Sequence, residues 1–112
     1  MDYKEIVGRN ISGSRGRLQL SQTIIAARMR HLGFEYWQQQ TLAAVEKGKR
    51  RLTIEEVFGL AVALECTLPA LLLPIRPGSL ELPAGSGQAL DDNAITGLIY
   101  GGPRPAVDWP DA

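Results

Sequence analysis

Apolar residues recur at helical spacing through most of this chain, and polar stops divide them into short segments. After Ser21, a good N-cap, Ile24, Ile25, Met29 and Leu32 follow a helical rhythm that Gly33 ends. The next helix is expected to start between Glu35 and Trp37, although no Ser, Thr, Asp or Asn stands there to cap it. Its Leu42 and Val45 (i, i+3) face inward, Trp37 covers their end, and Gly48 stops it. Gln38, Gln39, Gln40, Ala43 and Ala44 then fall on its sides and outer face. Thr53-Ile54-Glu55-Glu56 is a capping box, with Glu56 able to reach back to the Thr53 amide. Ile54, Val57, Phe58, Leu60, Ala61 and Leu64 follow, enough for a helix buried on more than one side. A short last helix runs through Leu68-Pro69-Ala70-Leu71-Leu72, and Pro74 and Pro77 break the chain. With the helix that precedes Leu20, this predicts an all-α, compact five-helix bundle over residues 1–75, with a modest but sufficient core.

Residues 76–112 differ in composition and hold most of the prolines and half of the glycines. Leu80-Glu81-Leu82 alternates like a short strand, and Ala84-Gly85-Ser86-Gly87 reads as a turn. Asp91-Asp92-Asn93 can cap a short helix with Ile95, Leu98 and Ile99 on one face, stopped by Gly101-Gly102. Trp109 lies near the end. A wholly disordered extension rarely holds so many large apolar residues. It either packs on its own domain or joins two protomers. The candidate contacts between copies are Leu73, Ile75, Ile95, Leu98, Ile99, Tyr100 and Trp109, with Leu71 and Leu72 beside them.

Charge sharpens the picture. The chain is formally neutral, yet residues 1–51 carry ten Lys or Arg against four acids, a balance of +6, and residues 52–112 carry −6. A basic half beside an acidic half implies a polyanion as partner of the first. The amides of the Gln38–Gln40 run suit that partner, because a Gln can donate to adenine N7 and accept from its N6 amine in a DNA major groove.

The ordered motifs resemble the lambda-repressor/Cro type of helix-turn-helix domain, also called XRE-like, over roughly Ile6 to Leu73. The features are Ile11 and Arg15 ahead of Leu20-Ser21-Gln22, then Val45-Glu46-Lys47-Gly48-Lys49-Arg50. Leu60-Ala61-Val62-Ala63-Leu64, Cys66-Thr67 and the last short helix complete the set. The chain departs from the shorter members in the connector from Arg28 to Tyr36, about two turns longer, with the second helix extended through His31 or Leu32. The resemblance implies a recognition helix whose Gln38, Gln39, Gln40, Ala43 and Ala44 meet bases. It implies phosphate contacts from Ser21, Gln22, Lys47, Lys49, Arg50 and Arg51. It also implies a structural salt bridge between Arg15 and Glu46, since two charges inside apolar faces are best explained by pairing.

Other chemistries have little support. The single His31 reads as a surface or capping residue, and the single Cys66 as a core thiol. No zinc set, no nucleophile–base set and no cofactor are implied. Gly8, Gly13 and Gly16 lie in the first helix rather than after a strand, so they form no phosphate loop. The apolar stretches are interrupted by Glu65, Pro69 and Pro74, so none spans a membrane. One cysteine and no signal peptide point to a cytoplasmic protein. These features together point to a transcriptional regulator, not an enzyme: a repressor that binds double-stranded DNA at a palindromic operator as a homodimer. The alternative is a protein-interaction module, or an antitoxin, that keeps the helix-turn-helix fold.

Overall fold

Helix starts in this chain are fixed by side chains that take up the amides each first turn leaves free. The structure is a computed structural model and describes residues 2–74, 79–82, 88–102 and 109–110. Asp2 caps α1 (Tyr3–Leu18), Ser21 caps α2 (Gln22–His31), and Thr53 caps α4 (Ile54–Ala63), each side chain accepting from the amide three residues on. Thr67 does the same for α5 (Leu68–Leu72) and Asp91 for α6 (Asp92–Tyr100). Between α5 and α6 lies an antiparallel pair, β1 (Ser79–Glu81) and β2 (Ala89–Asp91), with Leu80 opposite Leu90.

The third helix departs from the expected start. α3 spans Gln39–Glu46, two residues later than the latest position read from the sequence. Trp37 is fully buried and Gln38 is extended, so the chain enters the core before it coils. The cap comes from inside the helix: the Thr41 hydroxyl accepts from the Gln38 amide at 3.1 Å. Gln38 is therefore the N-cap rather than a helical residue.

The core gathers Val7 and Ile11 of α1, Ile25 and Met29 of α2, Leu42 and Val45 of α3, Leu60 of α4, Leu64 and Trp37. α1 packs on α3 and α5, and α2 packs on α3 and α4. Two glycines set the spacing of α1 and α3. A Cβ on Gly8 would stand 2.6 Å from the carbonyl oxygen of Val45 and 2.8 Å from that of Glu46, so only hydrogen lets the helices meet. Gly48 stops α3 at φ +71°, a left-handed conformation that side chains disfavour. Asn10 joins α1 to the end of α5, donating to the carbonyls of Leu71 and Leu73 at 2.8 and 2.7 Å.

Two expectations about burial change. Ile54 and Phe58 were assigned to the buried surface of α4, but they stand 64% and 53% exposed, and Val62 continues their row at 63%. Ile24 and Leu32 of α2 are also exposed, although they share the helical rhythm of Ile25 and Met29. Periodicity identifies an apolar stripe wider than the core can cover, and the structure buries its inner side only.

The tail packs against its own chain. Ile95 is buried, and α6 with the hairpin lies beside the first turns of α1. The strand expected at Leu80 to Leu82 is found one residue earlier as β1 (Ser79–Glu81), so the all-α class holds for the bundle while the tail adds a hairpin. Ala89 to Asp91 were not read as a strand, because Asp91 is also the N-cap of α6 and was read only in that role. The turn expected at Ala84 to Gly87 and the candidate contact Ile75 lie outside the described residues. Among the described residues no helix is long and apolar enough to cross a membrane.

Candidate nucleic-acid interface

The outer side of α3 carries amides and small methyl groups. Gln38, Gln39 and Gln40 are exposed, and Ala43 and Ala44 are partly exposed, while Leu42 and Val45 point into the core. Gln39 is held by its neighbour on α2. Its Nε2 donates to Gln22 Oε1 at 2.6 Å, and Gln22 Nε2 donates in turn to Glu46 Oε1 at 3.0 Å. Glu46 closes the chain by accepting from Arg15, Nε at 2.8 Å and Nη2 at 3.0 Å, a bidentate pair between α1 and the end of α3. The Glu46 side chain is 8% exposed and the Arg15 side chain 22%. The hydrogen bond to Glu46 raises the Arg15 pKa further, so the guanidinium stays charged. Arg15 also donates to the carbonyl of Leu20, which fixes the corner before α2. The Gln39 amide is thus linked through Gln22 to a part-buried ion pair.

A second polar cluster holds the other end of α3. Glu56 is buried and accepts from Trp37 Nε1 at 2.9 Å, from the Tyr36 hydroxyl at 2.8 Å and from the Thr53 amide at 2.8 Å. Arg50 completes it with bonds of 2.9 and 3.2 Å to the same carboxylate, and its guanidinium lies 5.3 Å from the centre of the Trp37 ring. Burial pushes the Glu56 carboxyl up, but the bonds from Arg50, Thr53, Trp37 and Tyr36 outweigh it and hold the pKa at about 2. The same bond raises the Tyr36 hydroxyl above its ordinary value. Arg30 adds a bond to the Trp37 carbonyl at 2.6 Å. The long connector, residues 32–38, is therefore pinned on both sides of Trp37 before α3 begins.

This cluster also engages Arg50. The sequence grouped it with Lys47, Lys49 and Arg51 as a phosphate contact. Its guanidinium bonds Glu56 and its side chain stays 30% exposed, while Lys47, Lys49 and Arg51 are exposed. Ser21 is exposed at the start of α2, with its hydroxyl accepting from the Ile24 amide at 3.2 Å. Gln22 is only partly exposed, and its side chain is occupied within the Glu46 chain. Sequence reasoning missed Tyr36, Trp37 and Arg30 as polar partners. It also read Glu56 only as half of a capping box. The visible signal was the two aromatic donors directly ahead of the glutamine run, with an acid placed to receive them.

The tail candidates divide. Ile95, expected between two copies, is buried within its own chain, and Ile99 is partly covered. Leu73 is partly buried, with its carbonyl taken by Asn10. Leu98, Tyr100 and Trp109 are exposed. His31 is exposed, and Cys66 is a partly buried thiol whose pKa burial pushes up. Among the described residues no group of three His, Cys, Asp or Glu could hold a metal ion.

No family model and no curated protein matches this chain. Two solved structures share its fold. The restriction-modification controller protein C.AhdI from Aeromonas hydrophila is 22% identical with a TM-score of 0.54, over 62% of this chain and 91% of that one. The DNA-binding domain of BldD is 20% identical with a TM-score of 0.50, over 62% of this chain and 93% of that one. These likenesses show that the matched residues of this chain share the fold of those two proteins.

Proposed function

We propose that this protein is a sequence-specific DNA-binding transcriptional regulator, a repressor that places α3 in the major groove. The observation that carries the reading is the bonded chain from Arg15 through Glu46 and Gln22 to Gln39. A part-buried ion pair of this kind costs some desolvation, and holding an exposed amide in one orientation is a use for it. The Gln39 and Gln40 amides suit adenine edges, and the methyls of Ala43 and Ala44 suit thymine. Ser21, Lys47, Lys49 and Arg51 supply phosphate contacts, which position the helix without reading sequence. Arg50 acts through Glu56 on the connector. The names of the two structural neighbours, a controller protein and a DNA-binding domain, agree with this reading.

One such domain covers one half-site. A homodimer on a palindromic operator would set two α3 helices about 34 Å apart on one side of the duplex. Selection of bound duplexes from a random pool, followed by sequencing, tests the proposal. An enriched palindrome with A·T pairs in each half-site is the expected result, and an unenriched pool overturns it. A second reading, a module or antitoxin that binds a protein, draws support from the exposed row Ile54, Phe58 and Val62 beside Ile24 and Leu32. A pure protein-binding module predicts an unenriched pool, whereas an antitoxin that also binds DNA predicts an enriched one.

A further inference from the structure

A two-fold contact between two copies needs one face that carries both a ridge and the groove that receives it. The α2–α4 side of the bundle carries both. Ile54, Phe58 and Val62 stand at i, i+4 and i+8 along α4, 64%, 53% and 63% exposed. Val62 also lines an open groove between α4 and α2, with Ile24, Ala27, His31 and Leu32 on the α2 side. No described residue of the tail lines that groove, and no residue of α3 does. Monomers rarely expose contiguous apolar patches larger than a few hundred Å². At about 200 Å² for a large side chain in the open, Ile24, Leu32 and the α4 row present on the order of 500 Å². One partner in a standard interface buries about 800 Å², so these five side chains supply more than half of what a stable dimer needs. The exposed Ala27, His31 and Glu55 beside them bring the face near that size.

We propose that this face joins two copies of the chain, α4 packing antiparallel on the partner's α4 with Phe58 at the two-fold axis. Rows of i, i+4 residues on two helices interdigitate at a crossing angle of roughly 50°, the commonest packing of helix pairs. Ile54 then meets the partner's Val62 and enters the partner's groove. Charge agrees with that register: the groove's ionisable residues are the basic Arg28 and His31, and the acid that arrives beside Ile54 is Glu55. The outer side of α3 stays free. The contact deepens the homodimer reading and rests on it for its use on an operator. Assembly is therefore measured without DNA, so that an unenriched pool of duplexes would sink the DNA reading alone.

Sedimentation of the full chain over a range of concentrations should show a reversible monomer–dimer equilibrium. Phe58→Asp should weaken it by about thirtyfold or more, the loss expected of a central anchor, and Val62→Ser should weaken it less. Both side chains are more than half exposed, so helix content and the urea midpoint should stay unchanged. Tyr100→Asp, on the exposed side of the tail, should leave the equilibrium as it is. Only a residue at the axis meets its own copy. Phe58→Cys should therefore oxidise to a dimer linked at position 58, whereas Trp109→Cys and the unaltered protein with its Cys66 should stay unlinked. That linkage decides the matter if either α4 variant disturbs folding. A full chain that remains monomeric overturns the contact. So does a dimer that survives Phe58→Asp, one that Tyr100→Asp dissolves, or one that forms no link through position 58.

Discussion

The bundle and the tail are held by different means. In the bundle, every helix contributes to one core, and two carboxylates with low exposure, Glu46 and Glu56, each gather several donors from different elements. Among the described residues the tail meets the bundle with apolar side chains along an open groove, and Ile95 is its one buried large side chain. Hydrophobic contact holds an element near its partner but fixes orientation weakly, whereas a hydrogen-bonded carboxylate admits few geometries. Orientation therefore is specified most closely where α3 starts and ends.

Replacing the hub should separate the two regions most clearly. Glu56→Leu strands Arg50 and the Trp37, Tyr36 and Thr53 donors, and should cost about 3–5 kcal/mol in urea unfolding at neutral pH. A loss below about 1 kcal/mol would mean the cluster only decorates the connector.

Acid acts on the same group. Its pKa of about 2 lies below the ordinary 4.5, so its contribution is complete above pH 4.5 and fades as pH falls toward 2. About 3 kcal/mol of unfolding free energy should disappear over that window, and the slope should be absent in Glu56→Leu. An unchanged acid slope in the variant would assign the effect to other carboxylates. Arg15→Met leaves Glu46 buried and should cost about 2–3 kcal/mol, less than the hub because the Arg15 side chain is partly exposed. Ile95→Ala should be the mildest. Hydrogen exchange at α6 should speed by about 1 kcal/mol of lost protection while α4 is unchanged. Equal losses in both helices would mean that bundle and tail unfold as one unit.

The sequence made the bundle legible because its caps and apolar spacing act locally. Ser21, Thr53 and the Leu42–Val45 pair can be read within one turn of the chain. The Arg15–Glu46 pairing came from the resemblance, since 31 residues separate the partners. The start of α3 was misplaced because its cap is Thr41, inside the helix, acting on a glutamine. The role of Glu56 was hidden because its capping box accounts for the residue locally, while Arg50, Tyr36 and Trp37 reach it through the fold. The exposed row on α4 shows the limit of periodicity, which gives the apolar side of a helix but not what covers it.

The central claim is that Gln39, oriented by Gln22, reads sequence while the exposed cations only position α3. The most direct test compares Gln39→Ala with the unaltered protein on a selected duplex and on a random duplex of equal length. A loss of about 1–3 kcal/mol on the selected duplex, with random-duplex binding unchanged, is the predicted result. Equal losses on both duplexes would contradict the claim and make Gln39 a backbone contact.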